Sequence, residues 1–347
     1  MTAPRKILII RLSSLGDILH AIPAYKSLRA AYPAARIDWL VESRMAFLLS
    51  VVPGLDNIIE VDTRKAREQL GTLEPWVQLR RVLQKLRSQG YEIALDFQGL
   101  LKTGLLSLLS GARTRIGFGP SLVRERPAHW FYNRQISKPT SQQHIVELNM
   151  ALAKAAGGLQ VPWQTDLSIP AKDADQVSGR LEADRLSKFA IINPGGGWPT
   201  KRWSAARYGA LARRMIAELN LPIIVTTAPG EEGLYGEIAE KCKSRDLHNY
   251  QLPFLQLIPL IKKAMLFVGG DTGPFHMASI LGVPAICILG PTTPERNGPW
   301  TNADEPVFRI LPCSFCYKRT CPTQNECMDL PIDMVFAAVV RRLERIQ

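Results

Sequence analysis

Short apolar runs alternate with longer stretches of helical period along this chain. Lys6-Ile7-Leu8-Ile9-Ile10 is apolar and β-branched after its lysine, as expected of a strand buried on both faces of a parallel sheet. Ser13-Ser14-Leu15-Gly16 then makes a small polar turn. From Asp17, the apolar positions Ile18, Ala21, Ile22, Tyr25 and Leu28 follow a helical repeat. Further strands are predicted at residues 37–41, 57–61 and 93–97, and helices at 44–51 and 76–87. Residues 113–138, rich in Arg, Gly, Pro and aromatics, predict a long loop over the edge of the domain. A helix at 144–156 stops at Gly157-Gly158, and a polar connector over 162–173 follows.

The cycle then restarts. A strand at 189–192 leads through Asn193-Pro194-Gly195-Gly196-Gly197 to a helix at 204–219. Strands at 223–226, 266–268 and 285–289 alternate with helices at 232–241, 255–263 and 274–281. Such alternation predicts an α/β protein with two doubly wound parallel-sheet domains of Rossmann type, at 1–165 and 174–330. Residues 331–347 predict a last helix packing back on the first domain.

Length and composition agree with two packed domains. The chain has 347 residues, 46% of them hydrophobic and 21% charged, which excludes a fibrous or disordered chain. Its formal charge of +12 is uneven: residues 1–150 carry 21 Lys/Arg against 12 Asp/Glu. The first half should therefore present the anion-facing surface, for nucleic acid, acidic lipid or an anionic substrate. The opening Met1-Thr2-Ala3-Pro4-Arg5-Lys6 precedes only four apolar residues before Arg11, short of the core of about 7–15 in a secretory signal. A cytoplasmic protein is expected, at most touching the cytoplasmic face of the inner membrane.

Ligands of open parallel sheets bind beyond the carboxyl ends of strands, where helix N-termini favour anions. Three turns fall there. In the first, Asp17 either complements its helix dipole or acts as a general base on an incoming hydroxyl, with His20 orienting it or facing the core. In the second, three glycines precede Lys201, so that backbone N–H groups and an ammonium can converge on a phosphate; a plain glycine turn is the alternative. In the third, Gly269-Gly270-Asp271-Thr272-Gly273-Pro274-Phe275-His276, capping groups and Pro274 make a helix entry. Gly273 and His276 add room and a donor for a diphosphate.

Ser13-Ser14-Leu15-Gly16-Asp17-Ile18-Leu19-His20-Ala21-Ile22-Pro23, Gly270 to Ala278, and Leu289-Gly290-Pro291-Thr292-Thr293-Pro294 together resemble the signature stretches of the ADP-heptose:lipopolysaccharide heptosyltransferases, glycosyltransferase family 9. The resemblance is collinear over nearly the whole chain. It implies a GT-B arrangement, the two domains facing a cleft, the second holding ADP-heptose and the first an acidic Kdo-lipid A acceptor. It also implies inverting transfer in one displacement with no essential metal or other cofactor. Asn297-Gly298-Pro299 after Arg296 favours the first core heptose as the one added, with the second transfer or another family 9 reaction as the alternative. The implied base is Asp17, and the implied diphosphate contacts are Asp271, Thr272, Gly273 and His276. Lys201, reinforced by Thr200, would bind phosphate, and Glu231 or Glu232, with Glu232 preferred, the ribose. Charge and loop placement suggest acceptor contacts at Arg113, Arg115, Arg124, Arg126 and His144, beside Ser14, Gly16 and His20.

Cys313-x2-Cys316-x4-Cys321-x5-Cys327 has enough thiols for a tetrahedral zinc, but it lacks the doubled C-x2-C rhythm, so reduced cysteines without a metal are expected. A nicotinamide oxidoreductase would suit the same layers, yet the first turn lacks GxGxxG and no acidic residue clearly ends the second strand at the expected position. A nucleotide or nucleic-acid binding protein is the non-enzymatic rival. No nucleic-acid partner is expected, and the sequence leaves the oligomeric state open.

Overall fold

The computed structural model describes residues 3–68, 74–137, 144–301 and 303–345. They form two compact units that divide between Ser168 and Ile169. In the first unit, β1 (Lys6–Ile10), β2 (Arg36–Glu42), β3 (Asn57–Val61), β4 (Ile93–Asp96), β5 (Thr114–Phe118) and β6 (Arg134–Ile136) make a parallel sheet ordered β3-β2-β1-β4-β5-β6. Ile7 to Ile10 are wholly buried between β2 and β4, which accounts for the unbroken apolar run. Each such side chain contributes about 1.5–3 kcal/mol of burial.

The second unit repeats the plan. Its strands are β7 (Ala190–Asn193), β8 (Ile223–Thr226), β9 (Leu247–Tyr250), β10 (Leu266–Gly270), β11 (Ala285–Ile288) and β12 (Glu305–Val307), all parallel and ordered β12-β11-β10-β7-β8-β9. Read from the other edge, this is the order of the first sheet. In each unit the connections reverse direction between the first and fourth strands, and the crevice at that reversal is where such sheets bind ligands.

Several expectations are corrected. The helix after the first turn is two pieces, Leu15–Leu19 and Ile22–Ala31, with Pro23 in the first turn of the second. The stretch expected to be a loop holds β5, a 3-10 turn at Arg126–Phe131 and β6; Lys138, its last residue, lies outside the described residues. Gly117 in β5 makes room for the Tyr132 ring, which would lie 2.4 Å from a Cβ there. The connector over 162–173 already contains the start of a helix, Ala171–Ala183. β2 does end on an acidic residue, Glu42, whose carboxylate is spent on Thr63.

The final helix, Ile332–Glu344, belongs to the second unit. Val335, Phe336, Ala338 and Val339 enter the core of that unit beside β11, β12 and the helix Ala205–Leu219. That core was open on one side of the sheet, and an apolar helix face is what closes it.

Candidate active site

In the first unit Asp17 follows β1 at the reversal point. Its Oδ2 accepts from the Ser14 backbone N–H at 3.0 Å and from the Ser14 hydroxyl at 2.8 Å. Its Oδ1 lies 2.5 Å from the buried guanidinium of Arg11, which also donates to the Phe97 carbonyl. Burial pushes the Asp17 carboxyl up, but Arg11, the two Ser14 bonds and the charge of Arg124 outweigh it, leaving it below the usual carboxylate range. Asp17 is thus an ionised carboxylate that remains partly exposed to solvent. Gly16 lies within the same short helix.

The expected acceptor contacts separate into two groups. Arg124 and Arg126 follow the carboxyl end of β5, the same sheet edge as Asp17. Arg113 precedes β5, at the opposite edge, so it does not join them. Arg115 is committed to the fold: its guanidinium donates to the carbonyls of Phe131 and Ala112 at 2.8 and 3.1 Å. His144 is buried and caps the helix Ile145–Ala155, its Nδ1 accepting from Val146 N–H at 3.2 Å. His20 is buried edge-on against His144, ring centroids 5.6 Å apart. Both histidines are buried within the first unit.

In the second unit the glycine turn after β7 and the turn after β10 converge. A Cβ at Gly270 would come within 2.9 Å of the Lys201 carbonyl, and one at Gly196 within 3.2 Å of the Thr272 methyl. This closeness brings the Lys201 ammonium to 2.7 Å from Asp271 Oδ2, while His276 Nε2 lies 2.8 Å from Oδ1. Burial opposes charge on Asp271, yet His276 and Lys201 hold its carboxyl well below the ordinary range. An ionised carboxylate only accepts, so the proton between them sits on His276 Nε2. Lys201 also lies over the Trp198 ring, 4.4 Å from its centroid. Thr272 caps the helix Gly273–Ile280, and its buried hydroxyl has no partner among the described residues. The Thr200 hydroxyl donates instead to the Lys318 carbonyl at 2.8 Å, so it braces the Lys201 turn.

Beside this cluster, at the carboxyl ends of β7, β8 and β9, lies a cavity of about 540 Å³, within the usual range for small-molecule sites. Asn193, Thr227, Glu232, Phe254 and Leu257 are among its walls. The two glutamates have different tasks. Glu231 accepts from the Gly196 and Ala228 N–H groups, both at 3.1 Å, and pairs with Arg202, so it fixes the glycine turn. Glu232 lines the cavity, and its carboxylate, accepting from Gly230 N–H at 2.9 Å, is kept below its ordinary range by that bond. Sequence reasoning missed Arg11, Thr227 and Phe254.

A family model described as glycosyltransferase family 9 (heptosyltransferase) matches residues 79–326. The chain belongs to glycosyltransferase family 9. Among family members, it is similar to lipopolysaccharide heptosyltransferase 1 of Pseudomonas aeruginosa, with 28% identity over 327 residues, 92% of this chain and 89% of that protein. Similarity to the lipopolysaccharide core heptosyltransferase OpsX of Haemophilus influenzae is 29% over 313 residues, 88% of this chain and 84% of that one. The fold matches the Escherichia coli heptosyltransferase WaaC solved with ADP, at a TM-score of 0.77 and 24% identity, over 97% of this chain and 99% of that one. This family 9 glycosyltransferase is therefore a heptosyltransferase by descent.

The four C-terminal cysteines are free thiols. Cys313 and Cys316 are exposed and Cys327 is buried. Burial, with the neighbouring thiols, pushes the Cys327 thiol up. Among the described residues no three His, Cys, Asp or Glu side chains are grouped to hold a metal ion.

Proposed function

We propose that this protein transfers heptose, with inversion, from ADP-heptose to a Kdo-lipid A acceptor, as the first heptose of the lipopolysaccharide core. The observation that carries the reading is the Lys201–Asp271–His276 cluster at a helix N-terminus beside a nucleoside-sized cavity. Adenosine fills the cavity with Glu232 toward the ribose. The diphosphate meets Lys201, Thr272 and the N–H groups opening the helix at Gly273, which stabilise the charge that develops as ADP leaves. Lys201 and the helix supply positive charge of the kind a metal would bring, so no metal or other cofactor is assigned to the step.

Asp17 takes the proton of the acceptor hydroxyl as that oxygen bonds to the anomeric carbon and the bond to ADP breaks. Ser14, bonded to Oδ2, stands where that hydroxyl would donate. Transfer of the first heptose is favoured because the similar proteins of Pseudomonas aeruginosa and Escherichia coli are named heptosyltransferase 1.

The test pairs Asp17→Asn with a product assay. The variant should lose roughly 10²–10⁴-fold in kcat while binding ADP as before. Wild type should modify Kdo2-lipid A and leave its monoheptosylated form untouched. Near-normal turnover by Asp17→Asn removes the base assignment, and preference for the monoheptosylated acceptor moves the enzyme to the second transfer.

A further inference from the structure

One face of the first sheet is covered by the helices Glu74–Gln89 and Leu101–Leu109 and by the 3-10 turn Arg126–Phe131, which pack side by side. Their inner positions, among them Leu83, Leu86 and Leu106, build the core with β1. Their outer positions are unusual for a surface. Leu101, Leu105 and Leu108 fall at i, i+4 and i+7 of one helix, and are 46%, 43% and 41% exposed. Gly104 turns the edge of that stripe against the 3-10 turn, since a Cβ there would lie 2.8 Å from the Phe131 ring. The same turn presents Trp130, 73% exposed.

Cations surround this apolar stripe. The neighbouring helix exposes Arg80, Arg81, Lys85 and Arg87 and has Glu74 as its one acidic residue, while the helix bearing the leucines has none. Arg126 opens the 3-10 turn on the other side. Glu125, beside it, is bonded to the Leu101 N–H at 2.7 Å.

We infer that this face is a docking surface for an anionic lipid bilayer, the leucine stripe and Trp130 entering the headgroup boundary and the flanking arginines and lysine meeting lipid phosphates. Apolar side chains with an indole favour the interfacial layer, and each nearby cation adds attraction to anionic headgroups. Arg80, Arg81, Lys85, Arg87 and Arg126 outnumber the acidic Glu74 and Glu125 around the stripe, so the face complements an extended anionic surface. No helix among the described residues is long and apolar enough to cross a membrane, so the contact is superficial. The inference extends the proposed reading, because an acceptor anchored in a lipid layer is met at the surface of that layer. Its deciding readout is vesicle binding, and turnover serves as the control.

The experiment is co-sedimentation of the full-length protein with vesicles of phosphatidylcholine alone or mixed with phosphatidylglycerol. Binding is expected only with the mixed vesicles and should weaken with added salt. Leu105→Glu/Leu108→Glu and, separately, Arg81→Glu/Lys85→Glu should each reduce partition roughly tenfold or more. Both variants should keep wild-type turnover on a delipidated acceptor, which also shows that they fold. Equal partition of wild type and both variants overturns the inference, as does a wild type that ignores phosphatidylglycerol. Light scattering showing a dimer that Leu105→Glu/Leu108→Glu dissociates would assign the face to a second copy and also overturn it. Loss of all turnover on either acceptor by wild type would instead count against the proposed reaction and leave the vesicle result standing.

Discussion

At the scale of single residues, the chemistry depends on how two carboxylates are paired. Arg11 is buried and ends the apolar run of β1, a position where a charge is tolerated only with a partner. It holds Asp17 ionised, and turnover through Asp17 requires that ionised form. The rate therefore falls as pH drops through the Asp17 pKa, and removing Arg11 raises that pKa. In Arg11→Met the acid limb of kcat/KM should move to higher pH, while Arg11→Lys should keep it near wild type. An unmoved limb in Arg11→Met would show that Ser14 and Arg124 suffice. Asp17, Asp271 and His276 were legible from the sequence because each stands between a strand end and the first turn of the helix that follows. Arg11 was legible in principle, as a lone cation closing a buried strand. The pairing of Lys201 with Asp271, 70 positions away, was not, because only the folded sheet joins the two turns.

At the scale of elements, the strands with unbroken apolar runs, β1, β7 and β8, could be read directly, since burial on both faces leaves no room for polar residues. β5 and β6 could not. Thr114-Arg115-Ile116-Gly117-Phe118 mixes polar and small residues because it lies toward an edge and yields space to Tyr132. The last helix was recognisable as a helix, but its partner was not, because an apolar stripe records that a face is buried and not which core it closes. The tight meeting of β10 with the Lys201 turn predicts a sensitive position. In Gly270→Ala the new methyl meets a backbone carbonyl, not a yielding side-chain tip, so the turn must shift. The KM for ADP-heptose should rise roughly tenfold, with acceptor KM unchanged. Unaltered donor KM would show that Lys201 does not set donor affinity.

At the scale of the whole molecule, the two units share one strand order with no visible residue-level repeat, and each carries its candidate residues at the same reversal of the winding. The first unit holds the Arg11–Asp17 pair and the second the Lys201–Asp271–His276 cluster, the proposed base and donor site. Donor binding should therefore be recorded by one unit. ADP is expected to slow amide hydrogen exchange at residues 193–202, 226–232 and 270–277 and to leave residues 11–20 as they were. Protection confined to residues 11–20 would reverse the assignment of the units. The cavity walls after β8 and β9 escaped the sequence reading because Thr227 and Phe254 belong to no motif and matter only as surfaces of a hollow.

Lys201 already has an anion at 2.7 Å. An incoming phosphate must compete with Asp271 for the ammonium, so a small free anion such as sulfate gains little by entering. A ligand that also occupies the neighbouring hollow recovers what that exchange costs. On the proposed reading, the carboxylate thereby favours a whole nucleotide over inorganic phosphate.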